Sequence, residues 1–67
     1  MAGIRLAAHG LTPAQIKVAK LVLRGQSTRE IMSDLRISEH TVQDHLKAIF
    51  DRTGVRSRRE LVASLMH

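Results

Sequence analysis

Five polar residues, His40, Gln43, Asp44, Lys47 and Asp51, recur at i, i+3, i+4, i+7 and i+11, the spacing of a single stripe along an α-helix. Most of these side chains can hydrogen-bond to a base edge. Gln pairs with adenine, Lys with guanine, and Asp accepts from the cytosine amino group. The other side of the same segment carries Val42, Leu46 and Ile49, so a core can hold the helix while the polar stripe faces outward. The plain alternative is a merely solvated face. His40, Asp44 and His45 also raise a metal site. His45 lies well round the helix from His40, however, and no third ligand stands at suitable spacing. No metal is expected.

Start and stop signals mark the elements that must hold this stripe. Thr12-Pro13-Ala14-Gln15 opens a first helix. Thr12 accepts from a free backbone N–H, Gln15 returns a bond to the cap, and Pro13 suits the first helical position, where its missing N–H costs nothing. Val18, Leu21 and Val22 form the apolar stripe of this helix and Lys17, Lys20 and Arg24 a basic one. Gly25 ends it by admitting a left-handed conformation. Ser27-Thr28-Arg29-Glu30 is a second capping box, opening a short helix with Ile31 and Leu35 inward. Ser38 caps the next helix, leaving only Arg36-Ile37 between them.

The third helix is predicted over 39–53, with Glu39 in the first turn, where the helix dipole favours an anion. Val42, Leu46, Ile49 and Phe50 are its buried stripe and Gly54 stops it. Ser57-Arg58-Arg59-Glu60 is a third capping box, opening a fourth helix with Leu61 and Leu65 inward. Residues 1–10 read as a flexible leader or linker and 11–67 as one domain. Strand alternation and repeats are absent. The expected fold class is all-α: a tri-helical core, unrelated to winged helices, plus a C-terminal helix. A short helix, a tight turn and a longer helix with polar residues outward form a helix-turn-helix, whose second helix enters the major groove.

Composition narrows the partner. The 67 residues carry eleven Lys plus Arg against six Asp plus Glu, a net charge of +5 with a pI near 11.2, which favours a polyanion. One Phe and no Tyr or Trp disfavour single-strand and RNA readers, which stack bases on several aromatic side chains. A duplex fits better. No cysteine is present, which removes thiolate metal sites and a thiol nucleophile. No paired carboxylates, nucleophile–base pair or phosphate loop suggests an enzyme, and no cofactor is expected. Neither a signal peptide nor a run of about 20 apolar residues occurs, so no membrane partner and a cytoplasmic location are expected.

Leu11-Thr12-Pro13, Gly25-Gln26-Ser27-Thr28-Arg29-Glu30-Ile31, Ile37-Ser38-Glu39-His40-Thr41-Val42-Gln43-Asp44-His45-Leu46 and Gly54-Val55-Arg56-Ser57-Arg58 together resemble the LuxR-type (GerE-like) DNA-binding domain of bacterial transcriptional regulators. The resemblance covers roughly residues 11–66. It implies a four-helix domain that binds DNA as a dimer, regulates transcription and forms the C-terminal output unit of a longer regulator. It places Thr41, Gln43, Asp44 and Lys47 toward the groove, beside His40, and puts Thr28, Arg29, Ser38, Thr41 and His45 near phosphates. The dimer contact is implied for the fourth helix, with Val62, Leu65 and Met66. Three departures stand out: Gln15 where Glu is common, Met32 where a small residue is usual, and Gln43-Asp44 where Lys and Asn are common. A generic family target sequence is therefore not expected.

The charge is unevenly placed. Residues 1–27 hold four bases and no acid (+4), whereas residues 28–67 hold seven bases and six acids (+1). Focused phosphate clamps at Arg29, Lys47 and the run Arg52, Arg56, Arg58 and Arg59 are expected rather than a broad basic patch. Arg56 and Arg58 are the backbone anchors of that run. The alternative function is an interaction module docking to RNA polymerase or a partner, similar to sigma-factor region 4. The Lys17, Lys20 and Arg24 stripe would serve such docking or simply be solvated.

Overall fold

The structure, a computed structural model, describes residues 10–65, the Leu65 side chain excepted. Four helices follow in order: α1 (Pro13–Leu23), α2 (Thr28–Leu35), α3 (Glu39–Thr53) and α4 (Arg58–Leu65). No strand occurs among the described residues. The all-α expectation, four helices with these boundaries, agrees with the structure.

Local hydrogen bonds set the helix starts. Thr12 Oγ1 accepts from the Gln15 N–H at 3.2 Å, and Gln15 Oε1 accepts from the Thr12 N–H at 3.0 Å. Ser27 and Glu30 exchange the same pair at 3.2 and 2.7 Å. Each pair satisfies two N–H groups that a helix start leaves without partners. The box expected at α4 is only half made. Ser57 Oγ accepts from the Glu60 N–H at 3.1 Å. The chain bends at Ser57, however, and the Arg56 N–H, not that of Ser57, donates to Glu60 Oε1 at 3.4 Å.

The helix ends are of two kinds. Gly25, at φ +85°, closes α1: its N–H donates to Val22 O at 2.9 Å and the Gln26 N–H to Leu21 O at 3.1 Å, the two bonds of a Schellman cap. Gly54 (φ +78°) closes α3 with a single bond, donating to Phe50 O at 2.8 Å, the simpler left-handed cap. The end of α2 has no glycine. Arg36 itself adopts the left-handed conformation (φ 55°, ψ 48°). The chain then reverses within Arg36, Ile37 and Ser38, and α3 begins at Glu39.

The core joins Leu11, Val18, Ala19, Leu21 and Val22 to Ile31, Val42, Leu46, Ile49 and Leu61. Helix α3 packs on both α1 and α2, and α4 packs on α1. Leu35 and Phe50, expected to point fully inward, are half-buried and border the core. Leu11 and Ala19 fill it instead. Burying a Val, Leu or Ile side chain contributes about 1.5–3 kcal/mol, and a chain this small needs nearly all of them. That need fixes which side of α3 faces inward, and so which side faces out.

Candidate nucleic-acid interface

Because Val42 and Ile49 are fully buried and Leu46 is 3 % exposed, the opposite side of α3 is left in solvent. His40, Gln43, Asp44, Lys47 and Asp51 are all exposed. Two of them meet: His40 Nε2 lies 3.3 Å from Asp44 Oδ2, which leaves Oδ1 of Asp44 outside the pair. Gln43, Lys47 and Asp51 border a surface depression with Phe50, Val55 and Arg56. An exposed arginine from the α3–α4 connection thus stands beside two of the expected readers.

Thr41 is placed differently. It is half-buried, and its Oγ1 lies 3.0 Å from Ser38 Oγ, which also accepts from the Thr41 N–H at 3.1 Å. Thr41 and Ser38 therefore form one cap at the α3 N-terminus. A second depression joins the starts of α2 and α3, lined by Thr28, Arg29, Met32 and Glu39. It sets the exposed Arg29 near a carboxylate. His45 is half-buried and faces Ala14 and Lys17 of α1 and Leu35 and Ile37 of the turn region. It lies away from the polar stripe.

Arg58 is turned inward. Its Nη1 donates to Gln26 O at 3.3 Å and its Nη2 donates to Thr28 Oγ1. The sequence suggests both Arg58 and Thr28 as DNA-backbone contacts but gives no bond between them. Nothing in the sequence joins residues 30 apart, because the contact forms only when α4 docks. Arg52 is exposed and close to Gly10. Val62 of α4 is half-buried, in an open groove with Val22, Gln26, Arg59 and Ala63. The Leu65 side chain and Met66, the other residues expected at a dimer contact, lie outside the described residues. Lys17, Lys20 and Arg24 are exposed along α1, with Asp34 at the edge of their groove. Among the described residues no His, Cys, Asp and Glu cluster could hold a metal, and no helix is long and apolar enough to cross a membrane.

These four helices coincide with a family match. The profile described as "Bacterial regulatory proteins, luxR family" matches residues 9–65. The chain belongs to the luxR family. Two of the relatives it resembles, YdfI and Mb0914c, are regulators by name. Spore germination protein GerE of Bacillus subtilis is 36 % identical over 56 residues, covering 84 % of this chain and 76 % of GerE. Transcriptional regulatory protein YdfI of Bacillus subtilis is 36 % identical over 56 residues, 84 % of this chain and 26 % of YdfI. Putative HTH-type transcriptional regulator Mb0914c of Mycobacterium bovis is 40 % identical over 52 residues, 78 % of this chain and 6 % of that protein. The luxR-family chain thus spans most of GerE but a small part of YdfI and Mb0914c. No solved structure matches it. Membership and relatives place it in DNA-binding transcription regulation.

Proposed function

We propose that the domain binds double-stranded DNA sequence-specifically, laying α3 in the major groove, and so regulates transcription. The observation that carries this reading is the exposed stripe His40, Gln43, Asp44, Lys47 and Asp51 on a helix whose other side is sealed into the core. Gln43, Asp44 and Lys47 read base edges, with His40 and Thr41 beside them. Thr28, Arg29, Ser38, His45, Arg56 and Arg58 form the backbone-contacting set, which positions the domain without reading sequence. The carboxylates of Asp44 and Asp51 reject as well as select, since an acid beside phosphates is tolerated only where a donor meets it.

A homodimer through α4, with Val62, Leu65 and Met66 at the contact, would present two α3 helices to two half-sites. The domain would act in the cytoplasm as the output unit of a longer regulator, an arrangement that the 26 % and 6 % coverages of YdfI and Mb0914c support. The exposed basic face of α1, which does not include the outer stripe of α3, favours a second role in docking RNA polymerase or a partner domain. Selection of bound duplexes from a random pool tests the main reading. The expected result is an enriched, two-fold symmetric site whose affinity falls steeply with salt. A pool that stays random after selection would refute sequence-specific binding and leave the docking role.

A further inference from the structure

Arg58 opens α4, yet both acceptors of its guanidinium flank the entry to α2: the Gln26 carbonyl, just before it, at 3.3 Å and the Thr28 hydroxyl at its first residue. Gln26 is itself fixed, because its Nε2 donates to Asp34 Oδ2 at 3.3 Å. A guanidinium is a rigid fork of donors with a permanent charge. A threonine hydroxyl has one hydrogen to donate and two lone pairs to offer. Arg58 occupies a lone pair of Thr28 Oγ1, so the O–H hydrogen is left for another acceptor. Among the described residues Arg58 is the one hydrogen-bond partner of that hydroxyl. Thr28 is half-buried and also lines the depression that runs to Arg29 and Glu39, between the starts of α2 and α3.

We propose that Arg58 is a positioning residue: it holds the first turn of α2 and orients the Thr28 hydroxyl so that its hydrogen is donated outward to a DNA phosphate oxygen. The inference rests on the duplex-binding reading and refines it, replacing a direct Arg58–phosphate contact by one relayed through Thr28. A cation behind the hydroxyl polarises it, which strengthens the bond it donates to an anion. The same arrangement ties the docking of α4 to the phosphate grip of α2.

A double-mutant cycle tests this. Binding of the 67-residue chain to a fluorescein-labelled duplex of mixed sequence is measured by anisotropy at low salt. Thr28→Ser keeps the hydroxyl and should lose clearly less affinity than Thr28→Val. Thr28→Val and Arg58→Gln should each weaken binding roughly three- to tenfold, the range expected for one hydrogen bond. The double variant should bind no worse than the weaker single variant. Arg58→Lys keeps the charge but not the fork; it should weaken binding in the Thr28 background and leave the Thr28→Val background unchanged. Circular dichroism checks that each variant is folded, and should Arg58→Gln unfold, the Arg58→Lys pair completes the cycle. Losses that multiply, or an Arg58→Lys variant equal to the wild type in the Thr28 background, would make Arg58 an independent clamp and overturn the relay alone. A wild-type chain that binds no duplex at low salt overturns the duplex-binding reading and the relay with it.

Discussion

One turn apart on the outer face of α3, His40 Nε2 and Asp44 Oδ2 approach to 3.3 Å while their side chains remain 86 % and 66 % exposed. An exposed i, i+4 pair of this kind adds at most about 0.5 kcal/mol to stability and often nothing measurable. The pair therefore matters little to folding and a good deal to what α3 shows a ligand. Asp44 Oδ2 is occupied on one side by the imidazole, and Oδ1 is left to accept from a cytosine amino group. Asp44→Ala should shift the melting temperature by less than about 4 °C. Across a panel of duplexes varied one base pair at a time, it should weaken binding selectively where that cytosine stands. A change of equal size on every duplex would remove Asp44 from base readout.

Lys47 and Arg29 separate reading from gripping. Lys47 is exposed in the stripe beside Gln43, whereas Arg29 is exposed at the start of α2, near Glu39. Lys47→Ala should cost roughly 1–3 kcal/mol of binding and relax one base position. Arg29→Ala should weaken all duplexes alike and lower the slope of log affinity against log salt by about one. Anisotropy titrations over a salt series measure both. Identical, sequence-independent losses for the two variants would abolish the division of labour.

Which of these features the sequence reveals depends on how far apart the bonded groups lie. The Thr12–Gln15 and Ser27–Glu30 boxes close over three residues, so residue types and spacing suffice to place them. Gly25 and Gly54 are equally legible, because only glycine takes a left-handed cap without steric cost. The outer face of α3 follows once Val42, Leu46 and Ile49 are assigned inward. Arg58 reaching Thr28 leaves no such mark, since it depends on how α4 settles against α1. The half-made box at Ser57 fails for a smaller reason. A carboxylate can serve either of two neighbouring N–H groups, and spacing alone does not choose between them.

Ser38 joins the two helices of the motif, and its loss should be felt in both stability and binding. Its Oγ accepts from the Thr41 N–H at 3.1 Å and lies 3.0 Å from Thr41 Oγ1. Removing a serine cap costs typically about 1 kcal/mol, which for a domain of this size lowers the melting temperature by about 4–8 °C. Ser38→Ala should show that drop in thermal denaturation, and Ser38→Asp, which can cap again, should restore most of it. An unchanged melting temperature for Ser38→Ala would mean that the Thr41 N–H finds water at no cost.

The left-handed Arg36 is the position where the fold works against its own residue. At φ 55° and ψ 48° the Cβ crowds the backbone, a strain of order 1–2 kcal/mol for an ordinary residue. Glycine has no such crowding, although its greater freedom in the unfolded chain takes back part of the gain. The three-residue reversal needs this conformation so that the half-buried Ile37 can pack against the core while Ser38 caps α3. Arg36→Gly should therefore stabilise the domain, by about 0.5–1 kcal/mol, and raise the melting temperature by a few degrees. Arg36→Ala keeps the strain and discards the charge, so it should leave stability near the wild-type value. That contrast separates backbone relief from electrostatics. If thermal denaturation finds Arg36→Gly no more stable than Arg36→Ala, the turn does not store strain at this residue.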